Sequence, residues 1–153
     1  MTDKGYVIPA AEEHIEVIAH NMRAPDVREV RAVGHEPLDA LRMSHHTSSL
    51  SWTAVIGGAP SIMFGVSPVC ALTGLGGPWM LGTDGIYQVR RQFIRECRGY
   101  VDQMMNLYPR LVNYTDVRNE VSIRWLKWLG FTFAPAISIG VNGEMFFPFM
   151  KGF

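Results

Sequence analysis

The sequence predicts one α/β domain in which a mixed sheet packs against a long central helix. The chain has 153 residues, about the length of a single domain. Hydrophobic residues make up 48% of it, which is enough to form a core and excludes an intrinsically disordered chain. Along the chain the hydrophobic period switches between about two and about 3.6 residues, as interleaved strands and helices require. We therefore expect residues 1–153 to form one domain, with a flexible terminus at residues 1–5.

The first half of the chain is predicted to hold a strand, a helical region and a hairpin. The predicted segments are a strand at Tyr6–Ile8, a helix at Glu12–Met22, one or two helical pieces over Asp26–Val33 and Pro37–Met43, and hairpin strands at Trp52–Ile56 and Ser61–Val66. Gly57-Gly58 predicts the tight turn of the hairpin, because both central residues of such a turn need a positive φ. Pro68 and three glycines predict a loop over Ser67–Gly77.

One long helix dominates the second half. Apolar residues from Val89 to Leu107 recur at steps of three and four, which predicts a helix over Ile86–Tyr108 with one face in the core. The other predicted segments are a strand at Pro78–Leu81, a turn at Gly82–Gly85, a strand at Leu111–Asp116, a helix over Glu120–Leu129, and terminal strands at Phe131–Ala134, Ile137–Val141 and Glu144–Phe149. Asn142-Gly143 predicts a type I′ turn between the last two strands.

Charge and composition exclude several classes of function. Fourteen basic and 14 acidic residues cancel, so no specific nucleic-acid partner is predicted and any such role would need a local patch. No segment has the apolar length of a membrane span or a secretory signal. Two cysteines suit a reduced compartment, and Cys97 on the apolar stripe of the long helix is typical of a small hydrophobe. The histidines lack the spacing of metal ligands, so no metal is predicted.

A motif follows the strand that ends at Asp116. Asn119 is followed by a small residue, Ser122, three positions later and by Gly130 and Phe131 eleven and twelve positions later. This pattern resembles the final helix motif of GNAT-type N-acetyltransferases. It also has a structural interpretation, since an asparagine caps a helix by accepting from backbone N–H groups and a glycine ends one. Capping and a ligand role for Asn119 stay open as alternatives.

Further segments are similar to the GNAT-like internal virion proteins of short-tailed bacteriophages. They are Asn21-Met22-Arg23 with Asp26 and Glu29-Val30, then Phe64-Gly65-Val66, then Pro78 to Asp84. The resemblance covers Tyr6 to Phe149 and implies a single-domain, GNAT-like mixed sheet with a long central helix. It also implies a location in the virion or the host cytoplasm, with other virion proteins or a host protein as partners, and leaves the oligomeric state open.

The resemblance implies a place for acetyl-coenzyme A, whose pyrophosphate would meet backbone N–H groups at the start of the long helix. The residues at the matching positions are Leu81, Gly82, Thr83 and Gly85, with Arg90 and Asn119 nearby. The loop pattern of the family is not met, and the Asp84 carboxylate would repel a pyrophosphate unless it instead caps the helix and points away. Arg90 would offset this repulsion in part. Alternatively, it belongs to a solvated basic face with Arg91, Arg95 and Arg98.

The acid and the base that the resemblance implies are also altered. The family places a tyrosine seven residues after the motif asparagine to protonate the departing thiolate, and Leu126 stands here instead. Tyr87 and Tyr114 are the candidate substitutes. Leu50–Leu81 contains no carboxylate, which leaves Asp116 as the nearest candidate base.

These departures remove parts that catalysis needs and none that the fold needs. The first hypothesis is therefore a degenerate acetyltransferase scaffold, without a cofactor, that acts as a virion structural, assembly or ejection-associated component. The alternative is an active acetyl-CoA-dependent N-acyltransferase on a host protein or small amine. A third hypothesis is a host-directed binding protein that exposes Trp125 and Trp128 on one helix side. An active acyltransferase needs an empty gap between the strands at Pro78–Leu81 and Leu111–Asp116. A scaffold without a cofactor is compatible with a gap that is either empty or filled by side chains.

Overall fold

The computed structural model describes residues 5–153, which form an eight-stranded sheet and five α-helices. The strands are β1 (Gly5–Pro9), β2 (Leu50–Ile56), β3 (Ala59–Cys70), β4 (Leu75–Gly82), β5 (Arg110–Asp116), β6 (Thr132–Phe133), β7 (Ile137–Ser138) and β8 (Met145–Lys151). The helices are α1 (Ile15–His20), α2 (Ala24–Ala32), α3 (Pro37–Thr47), α4 (Ile86–Leu107) and α5 (Glu120–Trp128). The predicted flexible terminus lies outside the described residues, apart from Gly5, which begins β1.

The sheet follows the order β1-β2-β3-β4-β5-β8-β6, with β7 also paired to β8. Among the described strands, β4 and β5 form the parallel pair and every other pairing is antiparallel. The connection between β4 and β5 runs through α4, as a parallel pair requires. The predicted mixed α/β fold with a long central helix is confirmed.

Helices cover both faces of this sheet, so the molecule has two apolar cores. On one face Ile62 and Phe64 pack with α4, including Phe93, and with the apolar side of α5. On the other face Met63 packs with Ile18 and Leu41 from α1 and α3. This alternation along β3 is what a strand buried on both faces requires. No helix within residues 5–153 is both long enough and apolar enough to cross a membrane.

The predicted loop over Ser67–Gly77 is wrong. β3 continues to Cys70 and β4 begins at Leu75, with a single 3-10 turn at Ala71–Thr73 between them. The pairing of β3 with β2 ends at Val66, so Pro68 lies where β3 has a neighbour on one side only. A proline is tolerated at such an edge position, because a missing N–H there breaks no ladder.

The predicted type I′ turn at Asn142-Gly143 is also wrong. Such a turn needs positive φ at both residues, and of the two only Gly143 has it, at 82°. The chain instead turns over residues 140–143, where the Gly143 N–H donates to the Gly140 carbonyl at 3.0 Å, and β7 ends early at Ser138. The predicted Gly57-Gly58 turn is confirmed, since both glycines have positive φ.

Candidate functional site

The parallel strands β4 and β5 separate soon after they meet. They pair only where Leu75 faces Arg110 and Gly76 faces Leu111, and then β4 runs on to Gly82 and β5 to Asp116. Pro78 has no N–H to offer β5. The Asn113 side chain bridges the strands instead, because its Nδ2 donates to the Pro78 carbonyl at 2.7 Å.

A cavity of about 430 Å³ lies at this separation. Residues 78–81 of β4 line one side and residues 113–115 of β5 the other. Most of the remaining lining is apolar or aromatic, and includes Phe64, Phe93, Trp125, Leu126, Phe131, Phe146 and Phe149. The gap between the two strands is therefore open, which is the state that an acyltransferase needs.

Two carboxylates of α2 hold the separated strand ends. The Gly82 N–H, at the end of β4, donates to Asp26 Oδ2 at 3.0 Å, and the Asp116 N–H, at the end of β5, donates to Glu29 Oε1 at 2.7 Å. Asp26 and Glu29 are three residues apart, so they lie on the same side of the helix. We call this pair the carboxylate bracket. It supplies acceptors to backbone donors that the sheet ladder no longer pairs.

The Asp26 end of the bracket is a buried ion pair. Arg23 donates to both oxygens of Asp26, from Nε at 3.0 Å and from Nη2 at 2.9 Å, and the two side chains are 2% and 4% exposed. The Arg23 N–H also donates to the Gly82 carbonyl at 2.9 Å. The start of α2 is thus fixed to the end of β4 through both backbone and side chains.

The Glu29 end of the bracket faces the cavity. Burial raises the pKa of Glu29 to about 7, and the charge of Asp26 acts in the same direction. Hydrogen bonds from the Asp116 N–H and from Asn119 Nδ2, at 2.9 Å, oppose this rise. An acid with a pKa near neutrality, at the edge of an open cavity, has the properties of a proton acceptor.

Three of the four backbone donors of the turn predicted to hold a pyrophosphate are already used. The Gly82 N–H donates to Asp26, the Thr83 N–H to the Ser61 carbonyl at 2.8 Å, and the Gly85 N–H to Thr83 Oγ1 at 3.1 Å. Leu81 lines the cavity, whereas Arg90 is exposed and does not. These residues do not fit the pyrophosphate of coenzyme A, because each of these three donors would have to give up an internal acceptor first.

Asn119 is 2% exposed and acts as a helix cap. Its side-chain oxygen accepts from the Ser122 N–H at 3.4 Å, and its amide donates to Glu29 Oε2. Gly130 follows α5 with a φ of 92°, as a helix-ending glycine does. Asn119 does not line the cavity, so of the two alternatives for this residue the geometry favours the cap.

The two predicted catalytic residues lie in different surroundings. Arg118 donates to both oxygens of Asp116, and these hydrogen bonds hold the pKa of Asp116 below its usual range. Asp116 does not line the cavity, whereas the half-exposed Tyr114 does. The hydroxyl of Tyr87, the other candidate substitute, accepts from Arg23 Nη1 at 3.1 Å. Burial raises the pKa of Cys97 to about 12, so this thiol stays protonated.

Sequence reasoning did not single out the carboxylate bracket. Its signal was present, because Asp26 and Glu29 lie three positions apart on a short helix and Glu29 adjoins the buried Val30. The shared face predicted for the two tryptophans is not observed. Trp125 packs against the core and lines the cavity, while Trp128 is 45% exposed and stacks on Arg98. Among the described residues, no three His, Cys, Asp or Glu side chains come together as metal ligands would.

A protein-family model matches part of this chain by sequence, and solved structures match its fold. The family model described as "Bacteriophage T7, probable scaffold protein Gp13" matches residues 62–137. No curated protein matches by sequence.

Solved structures resemble the whole chain. Ard1 from Thermoplasma volcanium has a TM-score of 0.73 at 10% identity, covering 97% of this chain and 97% of its own. The ribosomal-protein-S5-alanine acetyltransferase of Vibrio fischeri has a TM-score of 0.67 at 16% identity, and the match covers 99% of this chain and 94% of that protein. The ribosomal-protein-S18-alanine N-acetyltransferase of Escherichia coli has a TM-score of 0.63 at 11% identity, and the match covers 95% of this chain and 92% of that protein. At these identities the likeness concerns the fold.

Replacing Asp26 should show how much the bracket stabilises the fold. The substitution Asp26→Asn leaves the buried Arg23 charge without its counter-charge, and we expect a loss of roughly 3 kcal/mol in the free energy of unfolding. Urea denaturation followed by tryptophan fluorescence measures this loss. The matched control is Glu36→Gln, which breaks the exposed Arg31–Glu36 pair and should change stability by less than about 0.5 kcal/mol. Equal losses in the two variants would contradict the role given to the bracket.

The raised pKa of Glu29 predicts a specific pH dependence of stability. Between about pH 4.5 and pH 7 the folded chain binds more protons at Glu29 than the unfolded chain does. The stability contributed by protonated Glu29 is therefore complete below pH 4.5 and is lost as the pH rises through 7, on the order of 3 kcal/mol in total. Glu29→Gln should remove this component from denaturation curves recorded across that range. The exposed Glu16→Gln should retain it, and an identical pH profile for Glu29→Gln and the wild type would rule it out.

Proposed function

We propose that this chain, which has the GNAT fold and resembles a bacteriophage scaffold protein family over residues 62–137, is an assembly or structural protein of a phage particle. In this role it works through its surfaces and does not hold coenzyme A in the manner of the acetyltransferases. One observation carries the proposal: the backbone N–H groups of Gly82, Thr83 and Gly85, three of the four in this turn, already have internal acceptors.

The Asp26 carboxylate is the decisive part of that observation. It brings a negative charge to the Gly82 N–H, where a bound pyrophosphate would need the same donor. A second anion at this turn would meet repulsion from Asp26 and from the exposed Asp84. Displacing Asp26 would also leave Arg23 buried without a counter-charge, which costs several kcal/mol.

The other altered positions agree with this proposal. Leu126 lines the cavity and has no proton to donate, and the thiol of Cys97 remains protonated. None of these features weakens the fold, because the carboxylate bracket stabilises the separated strands without a ligand. The chain therefore needs no bound ligand to keep this fold.

Acetyl-coenzyme A should not stabilise this protein. A ligand that binds only the folded state raises the melting temperature by mass action, so submillimolar acetyl-CoA should shift the Tm by less than about 1 °C. Differential scanning fluorimetry measures the shift, and an active GNAT enzyme treated in parallel provides the positive control. A shift of several degrees, with heat of binding in calorimetry, would overturn the proposal.

Particles made without the chain should be defective. If the coding sequence is deleted from the phage, we expect normal lysis but a large loss of infectious particles, restored by supplying the chain from a plasmid. Mass spectrometry of purified particles or of their assembly intermediates should detect the chain. Full infectivity in its absence would contradict an assembly role.

A second candidate function, N-acyl transfer to an amine, is favoured by the open cavity. Glu29 and Tyr114 both line it, and the pKa of Glu29 suits a group that takes a proton from an ammonium. Glu29 thus replaces Asp116 as the candidate base. Under this function the chain would consume acetyl-CoA in the presence of an amine, and Glu29→Gln would abolish the consumption while Glu16→Gln would not.

A further inference from the structure

We propose that the exposed side of α4 and α5 binds the phosphate backbone of nucleic acid without sequence preference. The binding surface consists of Arg91, Arg95, Arg98, Arg124 and Lys127, with Trp128 at its centre, and we call it the arginine face. The binding follows from the distribution of charge over the fold and does not rest on the proposed function.

Arg98 and Trp128 join the two helices at the arginine face. The Arg98 guanidinium lies 3.7 Å from the centroid of the Trp128 ring, and its Nη2 donates to the Trp128 carbonyl at 3.1 Å. Arg95 and Arg91 precede Arg98 by three and seven residues, so they lie on the same side of α4 and span about 10 Å along it. Arg124 precedes Trp128 by four residues and lies on the same side of α5.

The cations of the arginine face are exposed and have no internal counter-charges. None of the five forms a salt bridge with a carboxylate among residues 5–153. Two carboxylates adjoin the face: Asp102 lies four residues after Arg98, and Glu120 lies four residues before Arg124. Glu96 lies elsewhere on α4, beside Gly5 and Tyr6. Five cations against two carboxylates leave a positive patch on a chain whose formal net charge is zero.

The opposite face of the sheet differs in charge and in pairing. The exposed carboxylates of α1, α3 and the turns before them include Glu12, Glu13, Glu16, Glu36 and Asp39. Glu12 already pairs with Arg42 and His46, and Glu36 pairs with Arg31. The carboxylates that a second copy of the chain would present to the arginine face are therefore partly neutralised. A polyphosphate backbone offers a regular row of charges, to which arginine binds with a planar, bidentate group.

Trp128 adds a contact that suits single strands. Its ring is 45% exposed and one face stacks on Arg98. A flat aromatic group among arginines is the arrangement on which unpaired bases stack. We therefore expect single-stranded DNA to bind at least as well as a duplex of the same length.

Fluorescence anisotropy with labelled DNA tests this proposal. With single-stranded and duplex DNA of about 20 nucleotides, binding should weaken steeply with salt, with a log–log slope of about −4.5 for the duplex if all five cations contribute. The double variant Arg91→Gln/Arg95→Gln should bring the slope for the duplex to about −2.7 and weaken binding at least tenfold at about 50 mM salt.

The matched control is Arg31→Gln/Arg42→Gln, which removes the same charge from the opposite face of the sheet and should change the affinity less than about twofold. Urea denaturation should give all variants the midpoint of the wild type, since these side chains are at the surface. Equal weakening by the control would show that binding reflects net charge and would overturn the proposal. So would a salt slope near zero, or binding of polyglutamate but not of DNA, which would indicate an acidic protein partner.

Discussion

The separation of β4 from β5 is the constraint on which the rest of this structure depends. Two parallel strands that diverge inside a sheet leave backbone N–H groups in the interior without ladder partners, and each costs about 1–3 kcal/mol unless another acceptor is found. Helix α2 supplies those acceptors, Asp26 at Gly82 and Glu29 at Asp116. The buried Arg23 then follows from Asp26, since a carboxylate at that depth needs a counter-charge.

The same contacts explain how a GNAT fold can exist here with an altered turn. The turn before the long helix lies at a helix N-terminus, where unpaired N–H groups and the helix dipole favour a bound anion. In this chain Asp26 brings a negative charge to that turn from within, so the Gly82 N–H has its acceptor without a ligand. The cavity persists for a separate reason. The strands still diverge at Pro78, where no N–H is present to continue the ladder.

Local patterns predicted the parts of the fold that short-range physics determines. The long helix, the Gly57-Gly58 hairpin and the Asn119 cap depend on residues a few positions apart, and the structure has all three. The extension of β3 through Pro68 was not predictable in this way, because it depends on where the neighbouring strand β2 ends. The role of Glu29 depends on Asp116, which is 87 residues away along the chain. Sequence reasoning therefore named Asp116, an acid of the strand itself, whose oxygens are in fact bound by Arg118.

Net charge is a coarse guide for a related reason, because a sum over the chain contains no positions. The 14 basic and 14 acidic residues cancel in the sequence, but the fold distributes them unequally over the two faces of the sheet. The acids that stabilise the interior, Asp26 and Glu29, lie on α2, on the opposite side of the sheet from α4 and α5. Carboxylates used at that depth are not available to neutralise the arginines of the other face. The internal bracket and the unpaired basic surface are thus two consequences of one distribution of charge, and a protein that satisfies its own interior can present its surfaces to partners.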